Sequence, residues 1–170
     1  MKPWIIAFCI CIFYFMLPLQ LFIIGNDMGI GIQGAVYRYQ ISPQGISLIP
    51  LTSEVFYVTS GLYQGRTAMS VTFWVLGTAI FTVLTIASLV YWNQLSLRQI
   101  RIIMPGLAGA GFCYLVSCGF QYGVLLSGSA GKSLPIGIIF LIIFSIFVYY
   151  YQYLFQAPVD NSMQNNNFEQ

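Results

Sequence analysis

"GIGIQG", residues 29–34, matches the dinucleotide-binding pattern G-x-G-x-x-G letter for letter, and Glu54 follows 20 positions after its last glycine. In a nucleotide fold such glycines end a short strand and open a helix, the backbone approaches a pyrophosphate, and the acid takes a ribose hydroxyl. The surroundings do not suit that chemistry. The apolar run before the motif is of membrane-spanning length, Pro43 stops any following helix after about two turns, and "AVYRYQIS" has the period of a strand. No strand–helix alternation follows to build a parallel sheet. The glycines therefore read as a flexible exit from an apolar span. "SGSAGKS", residues 127–133, looks like a phosphate loop, but the glycine needed five positions before the Gly-Lys pair is Leu126. It reads as a short flexible loop, and no nucleotide is expected.

Other chemistry is equally thin. The chain has no histidine, which removes the commonest general base and metal ligand. Cys9 and Cys11 are two apart on a helix, about 200° around its axis, and cannot chelate one ion. Cys113 and Cys118 are also poorly aligned, and no spacing supports a redox pair between the first and third spans. Buried cysteines of this kind behave as small hydrophobes. No cofactor and no metal are expected. Between the first two spans the only charges are Asp27, Arg38, Glu54 and Arg66. Asp27 reads as an interface residue. A single carboxylate without a partner base or metal makes a poor catalyst, so Glu54 is expected to pair with an arginine and brace the loop. The chain is not expected to be an enzyme.

The elements that carry these residues follow from composition. Of 170 residues, 58% are hydrophobic and 6% charged, against about 25% charged in soluble domains. With a mean hydropathy of +0.80, the bilayer is the expected solvent, and membrane lipids the first partner. The net charge of +2 is scattered, so no nucleic-acid footprint is visible.

Four stretches without Asp, Glu, Lys or Arg reach the roughly 20 residues needed to span: 4–25, 71–92, 102–122 and 135–155. The first is read as an uncleaved anchor, since no A-x-A-like site follows it closely. Pro18 is expected to kink it. The tight loop "NQLSLRQIR" carries Arg98 and Arg101 beside two membrane ends, and with Lys2 it puts both termini in the cytoplasm of a cell-membrane, multi-pass protein. Trp4, Tyr91, Trp92 and "YYYQY" would form an inner aromatic belt, with Trp74 in the outer one. Ser133 is expected to cap the fourth helix, ahead of Pro135 in its first turn. The Asn-rich tail, 157–170, reads as disordered.

Residues 26–70 are too many for a plain connection. Tyr37, Tyr39 and Ile41 alternate with Val36, Arg38 and Gln40, "PQG" (43–45) suits a turn, and "ISLIP" reads as a returning strand. Thr52 or Ser53 can cap a short helix ended by Gly61 or Gly65. The expected fold is therefore an all-α membrane protein: one four-transmembrane-helix bundle, residues 1–156, with a small β-hairpin and short helix in its first outer loop. Residues 34–65 would form an ordered cap presenting a partner surface, with Tyr37, Arg38, Tyr39, Glu54, Tyr63 and Arg66 as interaction candidates.

On the third span Gly106, Ala110, Cys113 and Ser117 recur at helical spacing with Gly109 and Gly111 nearby. Small residues let helix backbones approach in lipid, so Gly106, Gly109, Ala110, Cys113 and Ser117 are the helix-packing candidates. Thr78, Thr82, Thr85 and Ser88 offer hydroxyls on the second span. Gln20 and Gln121 are the most polar intramembrane side chains, and with no acid or base inside the membrane a proton-coupled transporter is disfavoured.

Four spans, a long structured first outer loop and a short second one resemble the claudin-like tetraspan layout. "SGLYQGRT" (60–67) is similar to the claudin "GLW" segment and its later arginine, although this loop has no tryptophan and no cysteine pair. The resemblance implies lateral association or adhesion through the first loop. The favoured function is a structural, assembly or accessory subunit, with a membrane-protein partner or a homo-oligomer. The alternatives are a small oligomeric transporter or channel subunit, and a membrane enzyme of lipid or quinone chemistry.

Overall fold

The computed structural model describes residues 3–25, 28–92 and 96–156. Among these run α1 (Pro3–Phe15), β1 (Gln20–Ile24), β2 (Gly29–Gln33), β3 (Tyr37–Ser42), β4 (Gly45–Pro50), α2 (Leu51–Thr59), α3 (Gly65–Val90), α4 (Leu97–Tyr122), β5 (Ser127–Gly128), β6 (Gly131–Leu134) and α5 (Ile136–Gln156). The strands make one antiparallel sheet in the order β4-β3-β2-β1-β6-β5.

That sheet overturns the all-α four-helix bundle. Among the described residues, α3 and α4 are long and apolar enough to cross a membrane, whereas α1 and the apolar stretch Ile136–Gln152 of α5 are shorter. The two long helices mark the chain as membrane-associated. The expected first span, 4–25, divides into a helix and a strand. Proline lacks an amide hydrogen, and the residue before it avoids helical geometry, so Pro18 follows the end of α1 and does not kink a longer helix. "QLFII" then satisfies its backbone groups between β2 and β6. Apolar character and length do not separate a buried strand from a helix.

Both glycine motifs also become strands. Gly29–Gln33 lies in the sheet interior between β1 and β3, so it is no flexible exit. A Cβ on Gly31 would collide with the Phe22 ring and the Tyr39 carbonyl, which is why this strand accepts glycine there. "SGSAGKS" is the β5–β6 hairpin, with Ser127 opposite Lys132. Ser133 therefore sits in β6 and caps nothing. At α2 the N-cap is Pro50, without a side-chain cap, in place of Thr52 or Ser53. The helix closes at Ser60, followed by Gly61 at φ +77°. α4 begins five residues before the expected 102, because Ser96 and Gln99 form a reciprocal capping box. This places Pro105 inside the helix. Asp27 and the tail 157–170 lie outside the described residues.

The sheet has two unlike faces. Register aligns Leu134, Leu21, Ile32, Tyr39 and Leu48 in one row, and Lys132, Ile23, Ile30, Ile41 and Ile46 in the next. With the period-two alternation of side chains, both rows share one face, where Leu134, Ile30, Ile46 and Leu48 are exposed. On the other face lie Gln20, Gln33, Arg38 and Ser133, all buried.

Beneath that second face Trp74, Phe81, Ile6, Ile10, Leu107 and Leu141 form the core. Trp74 is fully buried and joins no outer aromatic belt. Its Nε1 donates to the Gly34 carbonyl at 3.2 Å, and Thr78 donates to that of Ala35 at 2.7 Å. These two bonds fasten the β2–β3 turn to α3. Small residues set the helix spacing: a side chain on Gly106 would press on Leu84 of α3, and one on Gly111 on Ile142 of α5.

Candidate functional site

Sheet pairing brings three polar side chains into a line across three strands. Gln20 of β1 stands opposite Gln33 of β2, which stands opposite Arg38 of β3. All three point toward the helices. Gln20 Nε2 donates to Gln33 Oε1 at 2.5 Å, and Arg38 Nη2 donates to the same oxygen at 3.1 Å. Ser133 donates to Gln20 Oε1 at 2.8 Å, and the Cys118 thiol donates there too.

The helices complete the site. Gln121 of α4 accepts from Arg38 Nη2 at 3.4 Å and from the Ser70 hydroxyl of α3 at 3.4 Å. Ser117 donates to the Ser70 carbonyl at 2.7 Å. The guanidinium carbon of Arg38 lies 5.2 Å from the Trp74 ring centre and 5.8 Å from that of Phe22. Such desolvated cation–π contacts are worth about 1–2 kcal/mol each.

Opposite the arginine stands Glu54, 0% exposed, in the first turn of α2. Its Oε1 is 2.8 Å from Arg38 Nη1. The approach misses hydrogen-bond alignment, so neither carboxylate oxygen accepts a bond, and Arg38 Nε also has no partner. The contact is an ion pair by distance, lacking the additional bonds that compensate buried charge. Burial pushes the Glu54 carboxyl above its ordinary value, against a smaller downward pull from Arg38. The position at a helix N-terminus favours the charged form. Tyr63, in the α2–α3 connection, is also held above its usual range, by burial first and then by the Glu54 charge.

The expected interaction residues separate into several settings. Arg38 and Glu54 meet. Tyr63 packs edge-on against Tyr57, ring centres 5.3 Å apart. Arg66 is exposed, and its Nε donates to the Phe120 carbonyl at 3.2 Å, away from Glu54. Tyr37 is half-buried beside the β2–β3 turn, where its carbonyl accepts from the Gly34 amide. Tyr39 lies on the opposite face of the sheet. Of the helix-packing candidates, Gly106 faces Leu84, Ala110 is buried, Ser117 bonds to Ser70, Cys113 is half-buried and Gly109 faces open space.

Gln33 is the residue that sequence reasoning passed over. Its signal was its place at the end of "GIGIQ", on the glycine side of the alternation. What joined Gln20 and Gln121 was likewise tertiary, since they are 101 positions apart.

Chemically the site is closed. Its carboxylate has no exposure through which to take a proton from a dissolved substrate, and its arginine is held by Glu54, two glutamines and two rings. Among the described residues no three His, Cys, Asp or Glu side chains cluster as a metal site. No protein-family model matches the chain, and neither the curated proteins nor the solved structures provide a match.

Proposed function

We propose that this chain is a non-catalytic membrane protein that serves as a structural, assembly or accessory subunit, acting through its sheet layer and the outer faces of its helices. The observation that carries this reading is the distribution of charge. Arg38 and Glu54 face each other inside the fold, while the outer faces of α3 and α5 are apolar. On α3, Leu76, Val83, Ile86 and Val90 are exposed at helical spacing, and on α5 so are Ile139, Ile143, Ile146 and Tyr150. In this reading α3 and α4 cross the membrane, the sheet lies outside it, and the loop before Arg98 and Arg101 is cytoplasmic.

The test is native mass spectrometry of the protein drawn from its own membranes in mild detergent. A partner of fixed stoichiometry, or a defined homo-oligomer, is the expected result. A lone monomer across mild detergents overturns the reading.

A further inference from the structure

The apolar face of the sheet is hollowed into a half-open trough of about 650 Å³, within the roughly 300–1,000 Å³ typical of small-molecule sites. Its floor is Leu21, Ile23, Ile30 and Ile32, with Tyr39 on one flank and Lys132 on the other. Lys132 is its one charged lining residue among those described. At the rim Leu126 is held at φ +53°, a conformation leucine rarely adopts. Its amide bonds to Gly123 and its carbonyl to Ser133, fixing that strained turn. Beside it Val124 and Leu125 are almost wholly exposed. An exposed apolar hollow of this size marks a binding surface.

The chemistry of the hollow selects its occupant. β1 and β2 are each paired on both sides, so the floor has no free strand edge for a peptide. Peptide amides laid on it would go unbonded, at a cost of about 1–3 kcal/mol each. A second copy of the chain packed on the same face would bring another Lys132 to the trough. An alkyl chain has no polar groups to satisfy, and a carboxylate at its end answers the lysine.

We propose that the trough binds the acyl chain of a long-chain fatty acid, its carboxylate paired with the Lys132 ammonium. The proposal rests on the membrane-associated reading above and names a ligand for its sheet layer.

The test uses the full chain in phosphatidylcholine nanodiscs, with palmitate carrying a mid-chain diazirine as the probe. Photolabel is expected on peptides covering residues 20–33, displaced by unlabelled palmitate and roughly fivefold less well by hexadecanol, the size of one exposed ion pair. Lys132→Gln should lower capture by a similar factor and Lys132→Arg should restore it. Ile30→Trp, at an outward position that leaves the core intact, should fill the trough and abolish labelling. Label confined to α3 and α5, equal displacement by hexadecanol, stronger displacement by phosphatidic acid than by palmitate, or cross-linked dimers joined through the sheet would each overturn the proposal. The subunit reading fails separately: a monomer by native mass spectrometry that still labels in the trough removes the partner and keeps the ligand.

Discussion

Arg38 Nη1 and Glu54 Oε1 lie 2.8 Å apart between the sheet and the helices, and neither carboxylate oxygen accepts an aligned hydrogen bond. One residue comes from β3 and the other from α2, so the pair ties the sheet to the helix that follows it. A buried pair of this kind is costly to break and inexpensive to replace as a unit. Arg38→Met should destabilise the fold by about 3–5 kcal/mol, because Glu54 is left buried without a counter-charge. Adding Glu54→Leu should recover most of that loss. Denaturant titration of the single and double variants in detergent measures both. A single variant as stable as the parent would show that the pair braces nothing.

The same pair makes stability depend on pH. Burial raises the folded-state Glu54 carboxyl above its ordinary value of 4.5. The folded chain therefore keeps that proton to a higher pH than the unfolded chain does. Its contribution is fully present below the unfolded value and is lost as pH rises through the folded one. Thermal melting should fall as pH climbs from about 4.5 toward neutrality, and Glu54→Gln should flatten the slope over that window.

Gly31 and Phe22 face each other across β1 and β2, and a Cβ on Gly31 would meet both the ring and the Tyr39 carbonyl. Gly31→Val should cost about 1–3 kcal/mol or more, as overpacking does. The loss would appear as a lower melting temperature and faster amide exchange in β2 and β3. Were this segment a flexible linker, the substitution would be silent.

The glycines of α4 should not respond alike. Gly106→Ile drives a branched side chain into Leu84, and Gly111→Ile drives one into Ile142. Each should destabilise by about 1–3 kcal/mol. Gly109 has open space where its side chain would lie. Gly109→Ala should be neutral or stabilising by up to about 1 kcal/mol, since alanine is the better helix former. Melting curves of the three variants in one detergent compare them directly.

Losing the Trp74 indole N–H should loosen the β2–β3 turn. It donates to the buried Gly34 carbonyl at 3.2 Å, and an orphaned buried acceptor costs about 1–3 kcal/mol. Trp74→Phe should show that loss in stability, together with faster exchange of the Gly34 amide.

Sequence alone determined the properties that sum over residues or act between near neighbours. A charged fraction of 6% names the solvent, whatever the fold. The alternation of Tyr37, Tyr39 and Ile41 is a local period, and "PQG" is a local turn, so the β3–β4 region was legible. The absence of histidine could be read directly. Tertiary structure alone decided what depends on distant partners. "QLFII" is apolar without alternation, and its identity as a strand rests on β6, more than 100 residues later. "GIGIQG" becomes a strand because Phe22 lies across Gly31 and β3 closes its far side. The same holds for Gln20, Gln33 and Arg38, which form one line only once three strands pair in register. Trp74 went inside because its indole found a turn carbonyl 40 positions away. Backbone groups in an apolar setting must all find partners, and a strand finds them far along the chain, where no local pattern records them.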